Sequence, residues 1–202
     1  PRGAGLTLAG TYAFDLGLGD FDYVKLEVEA LKRFALPGKN FLIGRLHAGS
    51  FPVRERCEDG EPGTPCAELP DLAEADRLSI PRNELFRLDG RENLKGLSEG
   101  LRGTHELHTT WELFLPWFLD RSHRALGLEW NNWYWVLYGG VGNIGFDTAT
   151  FLEPSDYIPD VGVGFESSFR LRKYQFFLSG LLAHALNGQG DVEARVSVKS
   201  YR

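Results

Sequence analysis

Hydrophobic and polar residues alternate along most of this chain, so the pattern predicts strands rather than helices. Between Leu6 and Leu16, one face holds Leu, Gly, Tyr and Phe while the other holds Thr, Ala and Asp. A period of two is the signature of a strand with two unlike faces. Further runs of the same kind cover approximately residues 23–33, 41–51, 105–115, 128–141, 161–169, 173–186 and 192–199.

The lengths of the runs and of the links between them favour a membrane barrel. The eight runs have about 10 to 14 residues each, and tilted strands of that length are what a bilayer requires. Short links near residues 37, 117–127 and 171 alternate with long loops at about 54–103 and 142–159. Transmembrane barrels combine short periplasmic turns with long extracellular loops. We therefore predict one domain over residues 1–202, an all-β antiparallel transmembrane β-barrel with a long extracellular loop at about 54–103.

The alternation leaves open which face points inward. A soluble sandwich or lipocalin-like barrel, which would bind an apolar ligand, also alternates. In a membrane barrel the charged face must be internal, because each charge facing lipid at the midplane would cost about 2–4 kcal/mol. The charged face comprises Lys25, Glu27, Glu29, Arg33, Arg45, Glu106, Glu112, Glu166, Arg170, Glu193, Arg195 and Lys199. Its mixed signs suit a hydrated or salt-bridged lumen.

The amino-acid composition excludes two further classes of protein. The chain has 202 residues and a formal charge of -6, so it lacks the excess of Lys and Arg that a nucleic-acid partner would require. No apolar run approaches the ~18 residues of a membrane helix. That absence excludes only a helical membrane protein. The chain begins at Pro1 and contains no Met, so we interpret it as a processed or excised piece of a longer protein.

Three motifs follow one another in the order of a known family. Residues 88–97 read L-D-G-R-E-N-L-K-G-L, residues 112–117 read E-L-F-L-P-W, and residues 138–142 read Y-G-G-V-G. The chain thereby resembles the bacterial surface-antigen family. That family includes the C-terminal barrel halves of BamA-like outer-membrane assembly proteins and two-partner secretion transporters, and the barrels of patatin-like phospholipases. Its patterns are G-G-x-N-S-L-R-G-F in the long loop, E-L-R-F-P-L in the next strand and F-x-D-x-G in the strand after.

The resemblance implies an outer-membrane barrel, bacterial or organellar, in which the long loop folds back onto the inner wall. The loop motif would comprise Asp89, Gly90, Asn93, Lys95, Gly96 and Leu97. The wall would contribute Glu112, Tyr138, Gly140, Gly142 and Glu166. Lys95 stands where the family has arginine, Leu97 where it has an aromatic residue, and Gly140 where it has aspartate. Glu112 or Glu166 would then be the alternative carboxylate partner of Lys95.

Other candidate chemistry is sparse. Cys57 and Cys66 bracket a short loop, and we expect a disulfide between them outside the cytoplasm. No metal site, cofactor or enzymatic activity is predicted, because no metal-ligand spacing and no G-x-S-x-G nucleophile motif occur. His105 and His108 would point to opposite faces of a strand.

The resemblance leaves open how the barrel closes and which of two membrane functions the chain has. The family closes with about sixteen strands, so the chain would be the C-terminal half of a larger barrel; alternatively it closes with eight strands or pairs with a second copy. As an assembly or translocation protein it would insert or translocate unfolded or secreted proteins at the outer membrane. As a relative of the patatin-like barrels it would instead be a membrane-anchoring or structural barrel. Outer-membrane lipids are partners in both cases.

Overall fold

The fold is all-β and is dominated by one large antiparallel sheet. The computed structural model describes residues 3–13, 23–54, 80, 83–89, 93–97, 100–119, 123–125, 128–146, 151, 153–171, 174–186 and 192–201. Its long strands are β1 (Gly3–Ala13), β2 (Tyr23–Ala35), β3 (Phe41–Arg54), β6 (His105–Phe118), β8 (Leu128–Gly145), β9 (Ile158–Leu171), β10 (Tyr174–Ala185) and β11 (Val192–Tyr201). The short strands are β4 (Phe86–Leu88), β5 (Leu101–Gly103) and β7 (His123–Ala125).

The long strands pair in the order β1-β2-β3-β6-β8-β9-β10-β11, and every ladder is antiparallel. The all-β prediction of eight strands in an antiparallel sheet is therefore confirmed. β1 and β11 are the two edges, and no ladder joins them among the described residues. A closed eight-stranded barrel is consequently not observed. Within the described ranges, no helix combines the length and the apolar composition that crossing a membrane would require.

The strand connections differ in two places from what alternation alone predicts. β4 and β5 form a separate two-stranded sheet inside the long loop, and β7 adds a short rung to β8 within the link at 117–127. Sequences of three residues are too short to show a period. At the turn between β2 and β3, Gly38 adopts φ 73°, a left-handed conformation that glycine tolerates without a Cβ clash. The Asn40 side chain closes this turn by donating to the Pro37 carbonyl at 2.7 Å.

The two faces of the sheet differ in chemistry. Residues directly opposite each other in the ladders share a face, so Leu46 lies beside Ala30 and Thr109, whereas Glu112 lies beside Ile43 and Tyr138. The face containing Leu46, called the apolar face below, leaves many large side chains exposed. They are Leu6, Leu8, Tyr12, Leu26, Val28, Leu46, Trp111, Trp135, Leu137, Val161, Val163, Leu182, Val196 and Val198. All twelve residues of the predicted charged face lie on the face that contains Glu112, which we call the polar face.

Candidate functional site

The segment between β3 and β6 returns to the polar face of the sheet. Its strands β4 and β5 pair with each other, and between them the chain makes a turn over residues 93–97. In this turn Asn93 donates its backbone N–H to the Asp89 carbonyl at 3.1 Å, and Leu97 donates to the Leu94 carbonyl at 3.1 Å. The Arg87 guanidinium pairs with the Asp89 carboxylate at 2.8 Å. We call the described residues 89 and 93–97 the docked loop. The docked loop presents the basic side chain of Lys95 and the apolar side chains of Leu94 and Leu97 to the sheet.

Apolar burial holds the docked loop in place. Leu94 and Leu97 pack with Leu88, Ile158 and Ala185 in one buried cluster, and Leu88, Leu94 and Ala185 are fully inaccessible to solvent. Burying a leucine side chain contributes about 1.5–3 kcal/mol. This cluster also excludes water from the polar contacts that surround it, which strengthens them.

Two glycines of β8 leave the space that the loop occupies. A Cβ built on Gly140 would lie 2.7 Å from the Tyr138 hydroxyl and 3.0 Å from a Leu94 methyl group. A Cβ built on Gly142 would lie 2.7 Å from the His108 Cβ and 3.3 Å from Leu88. Both predicted wall glycines therefore act through the absence of a side chain. They allow leucines of the long loop to approach the sheet.

Lys95 is held by a carboxylate and an aromatic ring. Its ammonium forms an ion pair with one oxygen of Glu112, and the other oxygen of Glu112 accepts from the Arg45 guanidinium at 3.0 Å. The Lys95 ammonium also lies 4.6 Å from the centre of the Tyr138 ring, within cation–π range. The buried Glu112 carboxylate thus links Lys95 of the docked loop to Arg45 of β3.

The loop backbone is fixed by two further groups of the sheet. The Tyr138 hydroxyl donates to the Asn93 carbonyl at 3.0 Å and accepts from the Lys95 N–H at 3.4 Å. The Gly96 N–H donates to the Asp160 carboxylate at 3.0 Å. Asp160 is only 1% exposed, so this hydrogen bond lies away from water.

Asn93 connects the loop to a second buried carboxylate. Its side-chain amide donates to Glu106 at 2.9 Å and to the Arg87 carbonyl at 2.7 Å. The amide therefore links the sheet, the docked loop and the strand that leads into it. Asparagine suits this position because its NH₂ group offers two donors.

Most of the predicted loop and wall residues are brought together. Glu112, Tyr138, Gly140 and Gly142 lie beneath the docked loop. Glu166 lies opposite Tyr134 and Ser179 and lines an open hollow with Lys199; the structure gives no direct contact between Glu166 and Lys95. Gly90, and Cys57 with Cys66, lie outside the described residues, so the disulfide stays a prediction.

Three further residues support the docked loop, although the sequence motifs did not indicate them. Asp160 and Glu106 accept hydrogen bonds from the loop, and Arg45 binds the Glu112 carboxylate that pairs with Lys95. The ladder between β8 and β9 places Asp160 directly opposite Gly140, where the family pattern expects an aspartate. A carboxylate is thus present at this point of the sheet, supplied by the neighbouring strand. A search for acidic residues at the start of β9 on the charged face would have found it.

Replacing Glu112 by glutamine should loosen the docked loop. The substitution keeps the shape but leaves the Lys95 and Arg45 cations facing each other without a carboxylate. Breaking a buried ion pair costs about 3–5 kcal/mol, and the partial exposure of both cations lowers our expectation to about 1–3 kcal/mol. Urea unfolding of the full chain in detergent measures the change.

The matched control for Glu112→Gln is Glu29→Gln, an exposed carboxylate on the same face. We expect its free energy of unfolding to stay within about 0.5 kcal/mol of the wild type, as for most surface substitutions. Equal effects of the two variants would show that the Lys95–Glu112 contact does not hold the loop.

No family model, curated protein or solved structure matches this chain.

Proposed function

We propose that this chain forms part of the wall of an outer-membrane β-barrel that inserts or translocates proteins. In this proposal the apolar face contacts lipid, the polar face lines the lumen and the docked loop is the working element. The observation that supports it is the seating of residues 93–97 on the polar face through Lys95, Gly96 and Leu94. The surface-antigen resemblance implies this placement for the same segment.

The exposed apolar face supports the lipid contact. Leu6 and Leu8 are 68% and 71% exposed, and comparable side chains extend across all eight long strands. A soluble protein rarely exposes a contiguous apolar surface of this extent. A soluble ligand-binding barrel would turn this face inward, yet here the polar face receives the loop. The arrangement therefore favours the membrane proposal over the lipocalin-like alternative.

The two edges of the sheet support an incomplete barrel. β1 and β11 have 11 and 10 residues, and each pairs on only one side among the described residues. Unpaired edge strands recruit further strands because their N–H and C=O groups lack partners. We propose that an N-terminal barrel half of the same protein completes the sheet, with a second copy of this chain as the alternative.

A membrane-anchoring barrel is the second candidate, favoured by the departures from the family pattern at Lys95 and Gly140. Lysine lacks the planar two-point contact that arginine forms with a carboxylate. The two candidates differ in whether the loop is needed for activity. In the anchoring role, barrel insertion matters and the Lys95 contact is dispensable.

The function is tested by Lys95→Ala in a depletion-and-complementation assay that measures folded outer-membrane barrels by their heat-modifiable gel mobility. Losing the Glu112 and Tyr138 contacts removes about 1–2 kcal/mol of loop attachment, so we expect assembly to fall about 5- to 30-fold. Lys95→Arg should retain assembly, because its guanidinium keeps the positive charge that pairs with Glu112. Lys39→Ala, in the turn at the opposite end of the sheet, is the control and should leave assembly unchanged.

Normal assembly with an inserted Lys95→Ala protein would favour the anchoring role and remove the role of the loop. A monodisperse protein that needs no detergent would contradict both membrane proposals.

A further inference from the structure

Three potential metal ligands meet on the polar face beside the docked loop. His47 of β3 lies directly opposite His108 of β6, and Glu106 precedes His108 by two residues and so projects from the same face. One ligand atom from each of these three side chains can be chosen so that all lie within 4.8 Å of one another. Residues this close on adjacent strands form a rigid platform, since both backbones are fixed by the ladder.

The contacts within this cluster are incomplete as a hydrogen-bond network. The His108 Nδ1 lies 2.9 Å from one oxygen of Glu106, whereas the His47 Nδ1 lies 3.7 Å from the other oxygen. The His47 Nδ1 is buried and has no hydrogen bond within the part of the chain that the structure describes. A buried polar nitrogen without a hydrogen bond is costly, and a bound ion would satisfy it. Glu106 itself is only 3% exposed.

We propose that His47, Glu106 and His108 bind a Zn²⁺ ion. Bonds of about 2.0–2.1 Å in a tetrahedral site separate neighbouring ligand atoms by about 3.3 Å, which lies between the two distances observed here. Two imidazoles and one carboxylate are a common set of three protein ligands for zinc, with the fourth position open to water or a small ligand. The carboxylate and the unprotonated imidazole nitrogens also match the borderline character of this ion.

Neighbouring side chains are placed to orient the ligands. The Glu27 carboxylate lies 3.9 Å from the His47 Nε2, the ring nitrogen that would remain free when Nδ1 binds the ion. The Asn93 amide donates to Glu106 at 2.9 Å and so constrains its carboxylate from the loop side. Such outer partners hold ligating groups in position and raise metal affinity by about 10- to 100-fold. The zinc proposal rests on these side chains and is independent of the proposed membrane function.

The test is Zn²⁺ titration of the full chain in detergent, with a chromophoric chelator as competitor. We expect one equivalent to bind. His47→Asn and His108→Asn should each weaken binding by at least about 100-fold, since each removes a direct ligand. His184→Asn and His105→Asn are the controls: His184 lies away from the cluster on β10, and His105 faces the other side of β6 and contacts Ser50 at 2.9 Å. Both should bind Zn²⁺ like the wild type.

A second measurement needs no substituted protein. Bound Zn²⁺ should protect His47 and His108, but not His184, from modification by diethylpyrocarbonate, as mapped by mass spectrometry. The absence of stoichiometric binding by the folded wild type would overturn the proposal. Binding without protection of His47 and His108 would also overturn it, because the ion would then lie elsewhere.

Discussion

Replacing Gly96 by alanine is expected to displace the docked loop from the sheet. A Cβ at this position would lie 2.4 Å from the Ala185 nitrogen, 2.4 Å from the His184 carbonyl carbon and 2.6 Å from Asp160. Two of these neighbours are backbone atoms of β10 and cannot rotate away. The loop must therefore retreat, which breaks the bond between the Gly96 N–H and Asp160. Overpacking and the loss of a buried hydrogen bond together predict a cost of about 2–4 kcal/mol.

Limited trypsin digestion measures this displacement directly, because release of the loop exposes the partly buried Lys95 to cleavage. We expect cleavage between β4 and β6 to be at least about tenfold faster in Gly96→Ala, since 1.4 kcal/mol corresponds to a factor of ten in the open population. Gly139→Ala is a matched control, because nothing lies within 4 Å of a Cβ built there. If both variants resist trypsin like the wild type, the loop is not seated as described.

A charge introduced on the apolar face should prevent stable membrane insertion, whereas the same charge on the polar face should not. Leu8 and Thr7 are adjacent at the middle of β1, both are exposed, and they point to opposite faces. Leu8→Arg would place a guanidinium in lipid, at a cost of about 2–4 kcal/mol near the midplane. Thr7→Arg would instead place it opposite Glu29, where a cross-strand pair of opposite charges is favourable.

Urea unfolding from lipid vesicles separates the two variants. We expect Leu8→Arg to lower the free energy of unfolding by about 2–4 kcal/mol and Thr7→Arg to change it by less than about 0.5 kcal/mol. A protein that exposes both faces to water would tolerate both substitutions alike. That outcome would exclude lipid contact at this face.

The strands could be predicted well because their information is local. Each long strand must place unlike residues on its two faces, so a period of two marks it without knowledge of its neighbours. Lys95 also contacts Glu112, one of the two carboxylates considered as its partner. The short strands β4, β5 and β7 were missed, because three residues carry no periodic signal.

The residues that the sequence motifs did not indicate were missed for a different reason. Asp160 stands on β9, one strand away from the position where the family pattern expects an aspartate. His47 and His108 come from strands separated by the long loop and meet only through the ladder between β3 and β6. Neither relation can be recognised from a fixed spacing of residues in the sequence, because register and the length of the intervening loop determine which residues are cross-strand neighbours.

The amino-acid sequence by itself determined that this chain forms long strands with one apolar and one charged face, interrupted by a long loop. Side-chain alternation is sufficient for this, since it depends only on the geometry of a single strand. Only the tertiary structure decided that β1 and β11 are the edges of the sheet among the described residues, that the docked loop lies on the polar face, and that Glu112 and Asp160 hold it. These features depend on which strands pair, in which register, and on the space that Gly140 and Gly142 leave between them.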